Sequence, residues 1–550
     1  MRPERAADLF VRCLENEGVE IVFGVPGEEN LVLLDALSSS RIRFVTTRHE
    51  QGAAFMADVH GRLNGRAGVC LSTLGPGCTN LVTGVADANM DGAPLVAISG
   101  QASTGRVHKQ SHQVIDLVRM FEPITKYAAQ IRLPRTIPEI VSKAFKVAQT
   151  ETPGACFLEL PENVAAMEIE GLDPLRRRSA VFNIAPPEKI AQAARIISEA
   201  QWPLVLAGHG VVRAGASADL VHFAETLNIH VATTFMAKGV IPFSHPLSVG
   251  AVGLKGRDYA ATAFKAADVI ICVGFDMVEY RPYLWHKEVD GRLIHIHAVP
   301  AEVDEDYLLE AEVIGDVGAS LKAIAAQARP QNRRLGAELH AALLAEAASF
   351  SRDEAFPLKP QRVLWDLREA LAADDLVICD VGAHKVWVAR MFAVERPNTC
   401  VISNGFAAMG IGLPGALAAK MLLPERKVLA VTGDGGFLLN SQELETAVRE
   451  KVPFVVLIWN DSAYGLIEWK QLAQFGHRFG VRFGNPDFVQ YAQSFGARAY
   501  RVKAAGDLLP ILRRALEDPV VSVVDCPVDY SENLALVDPL GTDISHSLVG

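Results

Sequence analysis

Short apolar runs rich in Val, Ile and Leu alternate along the chain with longer stretches whose apolar residues recur every three to four positions. Runs of the first kind suit strands buried on both faces. Stretches of the second kind suit the helices that cover them, so the pattern predicts parallel α/β layers. Near the N-terminus, 6–20 (AADLFVRCLENEGVE) reads as an amphipathic helix and 21–27 (IVFGVPG) as a strand closing in a Gly/Pro turn. Segments 69–80 and 95–100 repeat the scheme, each an apolar strand ending in small residues. After Pro161 the periodicity is lost and charge rises, which predicts a linker over 165–187. Strands at 203–211, 230–235, 268–275 and 292–299 form a second block, followed by a polar, Ala-rich bridge over 326–360. A third block has strands at 376–382, 428–436, 454–461 and 520–527. The fold class that follows is α/β, with three doubly wound parallel-sheet domains at 1–165, 188–326 and 360–530 and a tail at 531–550.

Length agrees, since 550 residues at roughly 150 per domain allow three or four domains. The net charge is -11, from 53 basic and 64 acidic residues, and the longest basic run is Arg176-Arg177-Arg178. Nucleic acid and acidic membrane surfaces are therefore not the expected partners. Eight cysteines lie scattered with no C-x-x-C pair. That argues against a disulfide framework or a thiolate zinc site, and for small buried thiols in a reducing compartment. The first residues lack a signal-peptide core, and no apolar run reaches the ~18 residues of a membrane span, so a cytoplasmic protein is expected.

Two glycine-rich turns compete for chemical meaning. In LAGHGVVRAG (206–215) Gly208 and Gly210 are followed by Arg213 where a dinucleotide fingerprint needs its third glycine, so a plain strand-to-helix turn is expected. The stretch 432–465 is different: an apolar strand ends in Gly433-Asp434-Gly435-Gly436, a helix follows, and a second strand ends in Asn460-Asp461. The 27-residue spacing of Asp434 and Asp461 is that of one β-α-β unit, which returns both carboxylates to the same sheet edge. Two carboxylates there repel, and a divalent cation completed by phosphate oxygens would relieve them. A pair of helix-capping aspartates is the alternative. His295 and His297 share one strand face but lack a third ligand, which points to packing or hydrogen bonding and not to a metal.

Gly433-Asp434-Gly435, a spacer and Asn460-Asp461 resemble the signature of the thiamine-diphosphate-dependent enzymes, and the intervening FLLNSQELETAVR is typical of acetolactate synthases. The likeness extends to VFGVPGEENL (22–31), RHEQGAAFMADVHGRLNG (48–65), LSTLGPGCTNL (71–81), HQVIDLVRMFEPITKY (112–127) and ISNGFAAMGIGLPGAL (402–417). VEYRPYLW (278–285) and PVDYSENL (527–534) look most like the catabolic, flavin-free branch.

The resemblance implies thiamine diphosphate and Mg²⁺, with Asp434, Asp461 and the carbonyl of Ala463 as metal ligands. It places the diphosphate against Gly382, Ala383, His384, Gly435 and Gly436, with Gly27 and Tyr464 also at the cofactor. Glu50 would contact the aminopyrimidine, Ala407 would accept from it through its carbonyl, and Met409 would wedge between the two cofactor rings. Gln113 would face the reacting carbons, where an amide polarises a keto oxygen without titrating. Taken alone, Glu50 reads first as a helix N-terminal acid, Met409 as core filler and Gln113 as an exposed polar residue, and the surrounding match is what lifts them above that. The implied reaction joins two pyruvates into 2-acetolactate with loss of CO₂. Another 2-keto acid decarboxylase or carboligase (a glyoxylate ligase, for instance) or an inactive partner subunit are the alternatives. The implied assembly is a homodimer or homotetramer with active sites between chains.

Two departures qualify the resemblance. The RFDDR-like segment of the flavin-dependent enzymes is replaced by Asp276-Met277-Val278-Glu279-Tyr280, and their GMHG turn by Gly-Ala-Val-Gly-Leu at 250–254. FAD is therefore expected to be absent or without function. The acceptor-selecting tryptophan aligns with Lys470, which would either reach an acceptor carboxylate or extend into solvent.

Overall fold

The computed structural model describes residues 4–177, 183–253, 259–285, 292–331 and 336–536. Their strands fall into three six-stranded sheets in which every pairing is parallel. The first holds β1 (Ile21–Gly24), β2 (Arg43–Thr46), β3 (Gly68–Ser72), β4 (Leu95–Gln101), β5 (Tyr127–Gln130) and β6 (Ala155–Pro161), in the order β2-β1-β3-β4-β6-β5. The middle sheet holds β7 (Pro203–Ala207), β8 (His230–Thr233), β9 (Ser248–Ala251), β10 (Val269–Val273), β11 (Arg292–His297) and β12 (Leu309–Ile314). Its order is β12-β11-β10-β7-β8-β9. The third holds β13 (Leu376–Cys379), β14 (Cys400–Ile402), β15 (Val428–Gly433), β16 (Val455–Asn460), β17 (Arg498–Arg501) and β18 (Ser522–Pro527), in the order β14-β13-β15-β16-β18-β17. The first and third sheets thus share one winding, and the middle sheet has the doubly wound order of dinucleotide-binding folds.

Central strands such as β4 and β7 are buried along their whole length, because helices cover both faces. Edge strands β2, β5 and β17 keep exposed or half-buried positions, and their sequences carry no strong apolar run. The stretch expected as a polar bridge contains the helix Ala337–Ser349, which buries Leu339 and Leu343 and lays Leu343 over Gly250 of β9. One narrow apolar stripe among alanines is enough to dock it. Residues 530–536 make a 3₁₀ turn, and the remainder of the tail lies outside the described residues. No helix of the described residues is long and apolar enough to cross a membrane.

The first and third domains share one apolar core, where helix Glu50–Asn64 packs on helix Gly412–Leu422. A small residue makes this approach close, since a Cβ on Gly415 would stand 2.8 Å from Val59 Cγ2; within the first domain, one on Gly84 would stand 2.5 Å from Ala54 Cβ.

Beside this contact Arg62 is buried among three aspartates. Its Nε donates to Asp58 at 2.6 Å, and its Nη2 to Asp87 at 3.1 Å and Asp91 at 2.7 Å. Nη1 donates to the Ile402 carbonyl at 3.2 Å. Asp87 in turn accepts from Ser403 Oγ at 2.7 Å, and Asp91 accepts the N–H groups of Asn404 and Gly405 at 3.0 and 2.5 Å. Burial, and then the charges of Asp91 and Asp58, push Asp87 well above the usual carboxylate range.

Breaking a buried ion cluster by removing one partner typically costs about 3–5 kcal/mol. Arg62→Met is therefore expected to lower stability by about that amount, read as a fall in the urea midpoint. An unchanged midpoint would contradict the role given to this cluster.

Candidate active site

Loops after β13, β15 and β16 leave the carboxyl edge of the third sheet and enclose a cleft of about 180 Å³. The strand order reverses between β13 and β15, which is where open parallel sheets place ligands. The cleft is lined by Gly382, Ala383 and His384 from the first loop, and by Asp434, Gly435 and Gly436 from the second. Asp461, Ala463 and Tyr464 come from the third, and Ala407 and Met409 from the segment hung on Asp87 and Asp91. Ala407 takes φ +57°, a left-handed conformation rare for alanine, which turns the chain just before Met409.

The glycines keep this cleft open. A Cβ on Gly435 would stand 2.8 Å from the Tyr464 ring, and one on Gly436 3.2 Å from the Asp380 carboxylate. Asp380 is buried and accepts the N–H groups of Val381, Gly410 and Gly412 at 2.6, 2.8 and 3.2 Å, so it ties the first loop to the Met409 loop. His384 is buried and held neutral, its pKa lowered to about 4 by desolvation. Its Nε2 and the Trp459 Nε1, both on residues lining the cleft, are buried without a partner among the described residues.

Two carboxylates stand at the mouth. Asp434 Oδ1 accepts from Gly435 N at 2.8 Å, and its Oδ2 from Ser462 N and Asn485 Nδ2, both at 2.7 Å. Burial raises its pKa against these hydrogen bonds. Asp461 lies over the start of helix Gly465–Phe475, and burial followed by the charge of Asp434 pushes it up to about 7. Among the described residues no group of three His, Cys, Asp or Glu could hold a metal. A cation here would need the two carboxylates, a backbone carbonyl and oxygens from elsewhere, a donor set that suits Mg²⁺. Glycine-exposed backbone, orphaned polar atoms and a carboxylate pair together fit a diphosphate with its divalent cation.

The remaining expected residues gather elsewhere, around the turn Thr73–Gly77. A Cβ on Gly27 would strike Thr73 at 2.3 Å, one on Gly77 would reach Glu50 Oε1 at 3.1 Å, and one on Gly75 would meet Gln113 at 2.7 Å. Glu50 opens its helix, is buried, and accepts from Asn80 Nδ2 at 2.9 Å. Gln113 is exposed at φ +58°. None of Gly27, Glu50 and Gln113 lines the cleft of the third domain. Glu443, from the helix after Asp434, reaches across and accepts the N–H groups of Arg48 and His49 at 3.1 Å, which fixes the backbone just before Glu50. Lys470 is exposed on helix Gly465–Phe475 and does not line the cleft, whereas Leu466 and Ile467 do. Asp380, Asn485, Glu443 and Tyr530, which also lines the cleft, carry no spacing signal that sequence reasoning could use.

A cavity of about 330 Å³ lies where β7 and β10 end, lined by the middle domain and by Met90, Asp91, Gly92 and Thr152 of the first domain. The turn Gly208-His209-Gly210 is indeed a plain strand-to-helix connection. Its His209 N–H donates to both carboxyl oxygens of Glu279, at 2.9 and 3.1 Å. His295 and His297 stack at 5.4 Å, and burial lowers both to about 4. His295 pairs with Tyr307 OH at 3.1 Å and His297 Nδ1 accepts from Val299 N at 3.1 Å, while His297 Nε2 is buried without a hydrogen-bond partner among the described residues, 3.6 Å from Asp276 Oδ1.

Comparison with known proteins agrees with this layout. Residues 4–120 match the N-terminal TPP binding domain of thiamine pyrophosphate enzymes, 190–324 their central domain, and 380–526 their C-terminal TPP binding domain. The acetolactate synthase of Bacillus subtilis (strain 168) is 35% identical over 544 residues, covering 97% of this chain and 94% of that protein. The catabolic acetolactate synthase of Raoultella terrigena is 35% identical over 543 residues, covering 97% of each. YdaP of Bacillus subtilis, named for thiamine pyrophosphate and not for a reaction, is 33% identical over 534 residues, covering 96% of this chain and 92% of that protein.

The raised Asp461 carboxyl has a measurable consequence. Between its ordinary value of 3.8 and about 7, the folded protein holds a proton that unfolding releases, so without a cation this group withdraws stability as pH rises through that window. With chelator present, Asp461→Asn is expected to raise the urea midpoint most at pH above about 7, the gain shrinking as pH falls toward 4. A variant destabilised equally at all pH values would contradict this electrostatic picture.

Proposed function

The chain belongs to the thiamine pyrophosphate enzymes, and on that premise we propose that it is an acetolactate synthase, condensing two pyruvates to 2-acetolactate with release of CO₂. The observation that carries the reading is the convergence of the loops after β13, β15 and β16 on one glycine-lined cleft with a carboxylate pair at its mouth. The likeness to acetolactate synthases along nearly the whole chain supports the choice of reaction.

When bound, the cofactor supplies a nucleophilic carbon that adds to a 2-keto acid and stabilises the carbanion left by decarboxylation. Asp434, Asp461 and the carbonyl of Ala463 hold Mg²⁺ in this reading. The backbone at Gly382-Ala383-His384 and at Gly435-Gly436 receives the diphosphate, with Tyr464 beside it. Met409 and the Ala407 carbonyl would hold the cofactor beside the cleft wall, and Glu50, with Gly27 nearby, would share a proton with the aminopyrimidine. Gln113 donates to the keto oxygen, where a neutral amide favours developing negative charge. Since Glu50, Gly27 and Gln113 lie outside the cleft that holds Asp434, we further propose that two chains build each site, in a homodimer or homotetramer. An active monomer in sedimentation at assay concentration would overturn that assembly.

We propose that the reaction runs without flavin. Support comes from Glu279, whose carboxyl takes the His209 N–H at the turn where a dinucleotide phosphate would otherwise bind. Another thiamine-dependent conversion of a 2-keto acid is the second reading, favoured by the similarity to YdaP.

The deciding experiment supplies pyruvate to purified protein with thiamine diphosphate and Mg²⁺. Acetoin after acidification is expected, whereas an aldehyde would show simple decarboxylation instead. Chelated, cofactor-stripped protein is expected to be inactive until both are restored. Glu50→Gln is expected to slow deuterium exchange at the cofactor's reactive carbon by about 10²-fold or more while cofactor affinity changes little. Unchanged exchange would remove Glu50 from its role. If the assembled site brings Lys470 against the acceptor, Lys470→Trp tilts products toward 2-ketobutyrate in competition at fixed pyruvate, by about the 1–3 kcal/mol that one methylene is worth; an unchanged ratio would leave Lys470 in solvent, where it stands exposed.

A further inference from the structure

Asn485 sits 24 residues beyond Asp461 with nothing in the sequence to mark it. In the fold it lies against the carboxylate pair. Its Nδ2 donates to Asp434 Oδ2 at 2.7 Å, to Asn460 Oδ1 at 3.1 Å and to Ser462 Oγ at 3.3 Å. The amide orientation follows from chemistry, since its oxygen would be repelled by the carboxylate that its NH₂ group faces. That oxygen, Oδ1, is left buried without a partner among the described residues.

The segment leading to Asn485 is tied to the same loop. Val481 accepts from Tyr464 N at 2.9 Å and Phe483 N donates to the Ser462 carbonyl at 3.3 Å, so Arg482 faces Ala463 in a short antiparallel bridge. Ser462 and Tyr464 make the hydrogen bonds of that bridge, and the Ala463 carbonyl between them takes no part in it. Arg482 Nη1 donates to the Asp461 carbonyl at 2.9 Å, while its Nε and Nη2 fork onto Glu468 at 3.1 and 3.0 Å. The Phe483 ring meets Tyr464 edge-on at 4.9 Å. Residues 481–485 thus form a strap across the loop 461–464, fastened at one end to Glu468 and at the other to Asp434.

We propose that Asn485 is a positioning residue for the divalent cation, aiming the Asp434 carboxylate, and that the Arg482–Glu468 pair holds the strap and the loop 461–464 in register with it. The inference rests on the thiamine diphosphate and Mg²⁺ reading above and adds residues that are not among the ligands named there. Ser462 explains why a strap is needed. It sits at φ +54°, a left-handed conformation that a serine does not hold unaided, and the bonds from Phe483 and to Asp434 over-determine it. Losing an outer partner of a metal ligand typically costs 10–100-fold in metal affinity.

The test titrates Mn²⁺ by electron paramagnetic resonance into full-length protein with saturating thiamine diphosphate. Asn485→Ala is expected to weaken Mn²⁺ binding at least about tenfold, and Arg482→Lys less but by more than about twofold. The melting temperature without cation or cofactor is expected to stay close to the parent's, since Gly435 N and Ser462 N still donate to Asp434 when the Asn485 amide is removed. Mn²⁺ affinity of Asn485→Ala within twofold of the parent would overturn the proposal. Should that variant not fold, Arg482→Lys within twofold would do the same. A parent protein that binds no Mn²⁺ with thiamine diphosphate present would overturn the underlying cofactor reading, and this inference with it.

Discussion

The burial of Arg62 among Asp58, Asp87 and Asp91 is the constraint from which much of the architecture follows. One guanidinium faces three carboxyls in a place without water, so the remaining acceptor capacity must be met by N–H and O–H groups. Those groups belong to Ser403, Asn404 and Gly405, and their engagement fixes the loop that delivers Ala407 and Met409 to the cleft. Arg62 lies on the helix that Glu50 opens, 12 residues or about 18 Å further along. A single rigid helix therefore sets the position of a buried carboxylate at one end and of the Met409 loop near the other.

The third domain applies the same logic with the opposite balance. Asp434 and Asp461 have neighbouring N–H donors but no buried guanidinium between them, and burial raises both carboxyls. A site so arranged is under-neutralised on its own, and a divalent cation is the simplest supplement. His384 beside it is held neutral by burial, so it adds no charge to compete with that cation.

Central strands could be read from the sequence because helices on both faces demand unbroken apolar runs, as in VVLIWN of β16. Edge strands such as RAYR of β17 escaped, since one covered face leaves only a short, mixed signature. The helix Ala337–Ser349 escaped for a related reason: two leucines are all it buries. In the third domain Asp434 and Asp461 were legible from spacing because they stand at the ends of the two strands of one β-α-β unit, whereas Gly382, Ala407 and Met409 were named only through the resemblance. Asn485, Glu443 and Arg62 were not legible. Glu443 lies 394 residues from the His49 N–H that it accepts, and no local pattern encodes such a pairing.

Small residues between helices Glu50–Asn64, Pro76–Met90 and Gly412–Leu422 let them approach closely: a Cβ on Gly84 would stand 2.5 Å from Ala54 Cβ, and one on Gly415 2.8 Å from Val59 Cγ2. Between most helices lies a layer of long side chains whose rotamers can change, and that layer is what allows one element to slide past another in shear. Where Gly84 meets Ala54 and Gly415 meets Val59, that layer is thin. A side chain added at either glycine would have to push the helices apart, so these two contacts fix how closely helix Glu50–Asn64 can lie to its neighbours.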